Sequence, residues 1–191
     1  MTEEQVMTIR TERTPNPNSL KYNVNKVLIP GGSAHFPTKE SAGRSPLAEG
    51  IFAIKGVEGV FIGSDFITVT KSDDMSWQDI NAGLAPQLES FFESGQPVLK
   101  GGEVAEDQEI GAETADPEVV ALIKQLIDEK VRPAVAQDGG DITYRGFENN
   151  IVYLEMKGAC SGCPSSSVTL KEGVEGLLKH YCPEVHEVRA I

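Results

Sequence analysis

The chain has 191 residues, of which 29 are acidic and 17 basic, so its formal net charge at pH 7 is −12. This length fits one large domain or two small ones, and 39% hydrophobic residues is ordinary globular usage. The charge argues against nucleic acid or an anionic membrane surface as a partner, because both repel acidic side chains. No apolar run approaches the roughly 20 residues that a membrane-spanning helix needs.

Residues 1–100 are predicted to form an α+β domain. Ser45 followed by Pro46 is typical of a helix start, and Ser76 and Gly95 fit the two caps of a longer helix. The alternating and helical patterns predict these elements in chain order: strands at 6–10 and 20–24, a helix over 46–56, a β-hairpin over 60–70 and a helix over 77–94. A turn cluster of prolines and asparagines lies at 14–19, where a plain turn and a partner-docking loop are equally compatible with the residues.

Residues 101–116 are predicted to be an acidic flexible linker. The stretch holds six acidic residues and no basic one, and no hydrophobic period runs through it. Such a segment repels itself and stays solvated. The second domain would then span residues 117–191.

The second domain is predicted to have the order α-β-β-α-β. The patterns predict a helix from Pro117, an antiparallel hairpin of strands 142–147 and 151–156, a helix from Pro164 and a strand at 185–189. Pro133 is expected to kink or end the first of these helices.

The chemistry of the second domain centres on two cysteines between a strand and a helix. Cys160 and Cys163 have C-x-x-C spacing, which in a reducing compartment indicates a metal, cluster or redox site. A helix N-terminus lowers the pKa of a nearby thiol and favours bound anions. Gly158 and Gly162 leave room for an inorganic centre close to the backbone.

A zinc site and a dithiol site are two alternatives for this pair. Zinc would need two more ligands, and His180 and His186 lie at the far end of a helix about 24 Å long, so we expect them to be exposed polar residues. A thioredoxin-like dithiol agrees with the strand–CxxC–helix order, but only 28 residues follow Cys163, which is little chain for the rest of such a fold.

An iron–sulfur site and a plain interaction module are the other two alternatives. Clusters usually take four thiolates, and Cys182 lies past the far end of the same helix. One chain therefore supplies two thiolates, and two subunits would supply four around a shared, releasable cluster. No P-loop and no G-x-S-x-G motif competes with the cysteines, which favours a binding or carrier role over an enzyme.

Both domains resemble the NifU-like (Nfu) iron–sulfur proteins. The resemblance to the C-terminal Nfu domain lies in residues 132–135, 138–142, 158–166 and 183–185. The resemblance to the N-terminal Nfu domain lies in residues 14–21, 45–47, 63–71 and 91–95. The resemblance implies a carrier or late-stage scaffold without enzymatic turnover, with Cys160 and Cys163 as cluster ligands. It implies a cluster of the 4Fe–4S type, with 2Fe–2S as the alternative, that is delivered to apo iron–sulfur proteins after loading by upstream assembly proteins.

Several expectations follow from ligand counting and from the resemblance. The cluster should bridge a homodimer, whereas the apo-protein should be a monomer. The alternative function is a thioredoxin-like dithiol oxidoreductase. Serine at Cys160 or Cys163 should abolish cluster retention and leave the fold intact, because a loop thiol contributes little packing. Cys182, where an aliphatic residue is expected, should not be a ligand.

The N-terminal residues suggest where the protein works. Met1 to Gln5 include neither a signal peptide nor an Arg-rich presequence. We therefore expect a bacterial cytoplasmic protein, or a mitochondrial matrix protein if a presequence has been removed.

Overall fold

The computed structural model describes residues 8–101, 110, 115–161 and 164–191, with the backbone alone for 164–167. The chain divides into two compact units, Met1–Val104 and Ala105–Ile191. Each unit has its own hydrophobic core. Most of the predicted linker and the start of the first predicted strand lie outside the described residues.

Over residues 8–101, the first unit has a five-stranded antiparallel sheet and two α-helices. Its elements in chain order are β1 (Ile9–Arg13), β2 (Ser19–Val24), β3 (Ala34–Phe36), a 3₁₀ helix (Lys39–Arg44), α1 (Pro46–Phe52), β4 (Val57–Ile62), β5 (Phe66–Lys71) and α2 (Trp77–Ser94). The strand order in the sheet is β1-β2-β5-β4-β3. Alternate strand residues share one core with the apolar stripe of each helix, represented by Tyr22, Val60, Ile67, Ile51, Leu84 and Leu88.

Both ends of α2 follow from its sequence, as predicted. The Asp79 amide donates a hydrogen bond to the Ser76 hydroxyl oxygen at 3.3 Å, which satisfies one of the unpaired amides of the first turn. Gly95 ends the helix with a φ of 65°, a left-handed conformation that glycine adopts without steric cost.

Helix α1 begins as predicted but is shorter than predicted. The Ala48 amide donates to the hydroxyl oxygen of Ser45 at 3.1 Å, and Pro46 takes the first helical position. The helix ends at Phe52 rather than near Gly56. Strand β4 begins at Val57, so the chain needs the intervening residues to turn out of the helix.

In the described residues of the second unit, three strands form a sheet that shares a hydrophobic core with the helices. Its elements are α3 (Pro117–Leu126), a π-helical segment (Ile127–Val131), α4 (Arg132–Gln137), β6 (Gly140–Glu148), β7 (Ile151–Gly158), α5 (Pro164–Tyr181) and β8 (Glu187–Ala190). Strands β6 and β7 form an antiparallel hairpin, and β8 runs parallel to β7. The predicted α-β-β-α-β order is confirmed.

The first helical stretch of this unit changes geometry just before Pro133. Residues 127–131 adopt the wider π-helical turn, and α4 then starts at Arg132. A proline lacks the amide hydrogen of the α-helical ladder, and its ring crowds the carbonyl four residues earlier. The predicted kink therefore takes the form of a π-helical segment.

The hairpin turn and the two sheet edges complete the unit. Asn149 and Asn150 have φ values of 52° and 64°, which a two-residue type I′ turn requires. On the β6 edge, the Ile110 amide donates to the Arg145 carbonyl at 2.5 Å, and Ile110 forms an isolated parallel bridge with Gly146. Ile110 lies within the predicted linker.

The β8 edge is covered by a side chain of α5. The Val188 amide donates to Oε2 of Glu175 at 3.0 Å, while Oε1 of the same carboxylate accepts from Lys179 at 2.6 Å. One carboxylate therefore satisfies an edge amide and pairs with a neighbouring cation.

Candidate functional site

Cys160 lies in the turn that joins β7 to α5, as the sequence predicted. Gly158, the last residue of β7, has a φ of 70°, and the Ser161 amide donates to its carbonyl at 3.0 Å. Helix α5 then begins at Pro164. The second candidate ligand, Cys163, and the neighbouring Gly162 lie outside the described residues, so Cys160 is the ligand candidate that the structure positions.

The side chain of Cys160 is buried in the core of the second unit. Only 4% of the residue is exposed, and it belongs to the same hydrophobic core as buried residues of α3, β6 and α5. The expectation that this thiol contributes little packing is therefore wrong. A loop residue can be buried when the strand that packs against it leaves space for its side chain. Here that strand is β6.

Gly140 leaves this space because it has no side chain. It is the first residue of β6 and pairs with Gly158 at the end of β7. A Cβ atom on Gly140 would lie 2.8 Å from the Cys160 sulfur and 2.6 Å from the Lys157 carbonyl oxygen. Cβ atoms essentially never approach other heavy atoms this closely, so a side chain at this position would displace the cysteine, the Lys157 backbone or both.

A bidentate ion pair fixes the start of β6 next to Gly140. Nε and Nη2 of Arg132 donate to Oδ1 and Oδ2 of Asp141, both at 2.9 Å. Asp141 is 6% exposed and also accepts from the Ile142 amide at 2.8 Å. The hydrogen bond to Asp141 raises the pKa of the Arg132 guanidinium above its ordinary value. The pair connects α4 to the strand beneath the cysteine turn.

The sequence pattern alone did not predict this pair, although both residues belong to segments that resemble the C-terminal Nfu domain. The available signal was an arginine at a helix start and an aspartate nine positions later, just past a glycine turn. Opposite charges at such ends form a bidentate pair when the helix folds back on the strand. A second link joins the same turns, because the Ala159 amide donates to the Gly139 carbonyl at 3.2 Å.

Cys182 and the two nearby histidines lie at the opposite end of α5 from Cys160. Cys182 follows the last residue of α5, whose 18 residues span about 27 Å. It is fully buried, and this burial raises the pKa of its thiol. His180 and His186 are exposed, as predicted. Among the residues that the structure describes, no group of three or more His, Cys, Asp or Glu side chains is placed to hold a metal ion.

The turn at 14–19 in the first unit is held by its own side chains. The Thr14 hydroxyl is within hydrogen-bond distance of the carbonyls of Asn16 and Ser19, at 2.9 and 3.0 Å. The Trp77 indole donates to the Pro17 carbonyl at 3.4 Å, which links the turn to the start of α2. These bonds account for a structural turn, and they leave the partner-docking alternative as a hypothesis.

None of the helices described is both long and apolar enough to cross a membrane.

Known families match both units of the chain. The family model of the NifU-like domain matches residues 123–189, and the model described as scaffold protein Nfu/NifU N terminal matches residues 9–95. An NMR structure of a NifU-like protein from Saccharomyces cerevisiae is 28% identical, with a TM-score of 0.47, and covers 53% of this chain and 91% of that one.

Two relatives are similar over nearly the whole chain. NifU-like protein 5, mitochondrial, from Arabidopsis thaliana is 48% identical, with 97% of this chain and 68% of that protein covered. The NFU1 iron-sulfur cluster scaffold homolog, mitochondrial, from Homo sapiens is 45% identical, with 97% of this chain and 72% of that protein covered. The chain thus spans about two thirds of the length of these relatives. It belongs to the NifU-like (Nfu) family, with the Nfu N-terminal domain in its first unit and the NifU-like domain in its second.

Proposed function

We propose that the protein is an iron–sulfur cluster scaffold or carrier that holds its cargo on Cys160 and Cys163. The observation that carries this proposal is the position of Cys160 at the strand–turn–helix junction of the unit that matches the NifU-like domain. Relatives over nearly the whole chain are named as cluster scaffolds, which supports the same role. The role needs no catalytic turnover, and the donors and recipients are upstream assembly proteins and apo iron–sulfur proteins.

The cluster would be shared between two subunits. Clusters usually take four thiolates, and each chain offers two that are close in sequence. A contact around a two-fold axis at the cysteine turns would bring the four together. The cargo proposed is a 4Fe–4S cluster, with 2Fe–2S as the alternative. Without it, a net charge of −12 opposes self-association, so the apo-protein would be a monomer.

The relatives also bear on where the protein works. The Arabidopsis and human proteins are both named as mitochondrial. This favours the mitochondrial matrix over the bacterial cytoplasm as the proposed compartment.

Anaerobic reconstitution tests the ligand assignment. Wild type, Cys160→Ser and Cys163→Ser are incubated with iron, sulfide and reductant, and iron and sulfide are then quantified per chain after gel filtration. The wild type should retain a cluster, and both serine variants should lose it. Cys182→Ala is the matched control and should retain it. Because Cys160 is buried, circular dichroism of each variant must show that loss of the cluster is not loss of the fold.

Sedimentation of the same samples tests the shared cluster. The apo-protein should sediment as a monomer and the reconstituted protein as a dimer, and chelation of iron should reverse the association. A monomer that carries a full cluster on each chain, with no small thiol in the buffer, would contradict the bridging proposal. Turnover in a disulfide-reduction assay together with failure to bind a cluster would favour the dithiol oxidoreductase instead.

A further inference from the structure

We propose that Gly140 is a positioning residue that lets the Cys160 thiol fold into the core, so that the cluster-free protein shelters this ligand from solvent. The proposal rests on the proposed function for the identity of the cargo. The sheltering itself is a property of the apo-protein and is measurable without a cluster.

The geometry beneath the turn gives the first argument. The sulfur and Cβ of Cys160 would lie 2.8 and 3.3 Å from a Cβ atom on Gly140, so the cysteine occupies the space that a side chain would fill. Gly140 belongs to a strand that the bidentate pair of Arg132 and Asp141 holds against α4. The pair therefore holds in place the strand against which the thiol packs.

The packing of the thiol gives the second argument. A thiolate that binds a cluster must present its sulfur to iron atoms that are bulky and that contact further ligands. A residue that is 4% exposed in a close-packed core leaves no such room. Loading the cargo therefore requires the sulfur of Cys160 to leave the core.

The bonds of the turn show how this movement can be local. Two main-chain hydrogen bonds within and beneath it are Ser161 to Gly158 at 3.0 Å and Ala159 to Gly139 at 3.2 Å. Neither belongs to the β6–β7 ladder. Opening these two bonds would leave the hydrogen bonds of the β6–β7 ladder intact, and proteins undergo such local openings without global unfolding.

Cysteine alkylation on the full-length apo-protein tests the proposal. The reduced chain is pulsed anaerobically with iodoacetamide, and the modification of each cysteine is followed by mass spectrometry. Cys160 should react at least about tenfold more slowly than in the urea-unfolded chain, yet faster than Cys182, which is fully buried and should wait for global unfolding.

Gly140→Ala tests the positioning role. Its added Cβ should push the Cys160 sulfur outward and raise the alkylation rate of Cys160 severalfold, with the rate of Cys182 unchanged. Gly173→Ala is the matched control, because nothing lies within 4 Å of a Cβ at that helical position, and it should change neither rate.

Three outcomes would overturn the proposal. Cys160 in the wild type could react as fast as in the unfolded chain, its rate could be unchanged in Gly140→Ala, or the rates of Cys160 and Cys182 could rise together in that variant. If Gly140→Ala does not fold, the wild-type rates decide. Failure of reconstitution with a slow Cys160 would count against the scaffold role alone, whereas a fast Cys160 in a protein that binds a cluster would count against the sheltering alone.

Discussion

The guanidinium of Arg132 and the carboxylate of Asp141 form a bidentate ion pair, with two N–O distances of 2.9 Å. The carboxylate is buried, whereas 36% of the arginine side chain is exposed. Loss of the arginine would therefore leave a buried carboxylate without this charged partner. Loss of the aspartate would leave a guanidinium that water still reaches.

Removing this arginine should destabilise the second unit. Arg132→Leu should lower the free energy of unfolding by about 1.5–3 kcal/mol, with the lower half of that range expected because the arginine is partly exposed. Arg132→Lys keeps the charge but loses the fork and should lie between the leucine variant and wild type. Urea denaturation followed by circular dichroism measures both. Arg189→Leu, which breaks an exposed pair with Glu187, is the control and should have a much smaller effect. A loss in the control as large as in Arg132→Leu would contradict the special role of the buried carboxylate.

Tyr22 should make the first unit sensitive to alkali. Burial raises the pKa of its phenol above the ordinary 10.0, so the folded state holds the proton more tightly than the unfolded chain does. Its contribution to stability is complete below pH 10 and should fall by about 1.4 kcal/mol per pH unit above it until the folded pKa is reached. Tyr22→Phe should remove this slope. At pH 8 it should cost about 1 kcal/mol for the lost hydrogen bond to Asn81.

Unfolding in urea at pH 8 and pH 11 measures the Tyr22 effect. The single tryptophan, Trp77, lies in the first unit and reports its transition by fluorescence. Equal losses of stability between the two pH values in wild type and Tyr22→Phe would show that other groups cause the alkaline sensitivity.

Glu175 should titrate below its ordinary range, and the amide of Val188 should report it. The hydrogen bonds from Lys179 and from Val188 lower the pKa of this carboxyl from the ordinary 4.5. The stability that it contributes is therefore complete above pH 4.5 and is lost as the pH falls through the folded pKa. In NMR spectra, the Val188 amide shift should move with a midpoint below 4.5. Glu175→Gln should abolish that movement, and a midpoint at or above 4.5 in the wild type would refute the prediction.

Ile110 should be held against β6, although it lies within the stretch predicted to be a flexible linker. Its amide donates to the Arg145 carbonyl, so its hydrogen exchange should be slower than that of an unstructured peptide. A Cβ on Gly146 would collide with the Ile110 carbonyl oxygen. Gly146→Ala should therefore abolish the protection of Ile110, and Gly176→Ala, a helical position with open space, should not. If the Ile110 amide of the wild type exchanged as fast as that of an unstructured peptide, the prediction of a flexible linker would hold at this residue.

Local patterns predicted those elements whose ends are marked in the sequence. Helix α2 has a serine cap and a glycine stop, and its apolar residues recur at helical spacing, so its bounds were predicted to the residue. Strand β3 has three residues, which is too few for an alternating pattern to stand out. The predicted end of α1 came too late, because Gly56 marks the turn into β4 and not the end of the helix. The pairing of β4 with its neighbouring strands sets where this turn lies.

The position of Cys160 was predictable from the sequence, but its burial was not. The strand and helix patterns placed Cys160 correctly between β7 and α5. Its burial depends on Gly140, which lies twenty positions earlier and meets the cysteine only through the pairing of β6 with β7. The ion pair of Arg132 and Asp141 depends likewise on a helix folding back onto a strand. Contacts of this kind come from the tertiary fold, which a pattern along the chain does not contain.

The coverage of both edges of the small sheet affects how copies of this protein can meet. Unpaired main-chain groups at a sheet edge are templates on which other chains aggregate. Here the Val188 amide of β8 is bound to Glu175, and the Arg145 carbonyl of β6 is bound to Ile110. At those two positions an incoming strand finds its hydrogen-bonding partner already taken. The small sheet is thereby protected at these positions from irreversible cross-β stacking between copies of the chain.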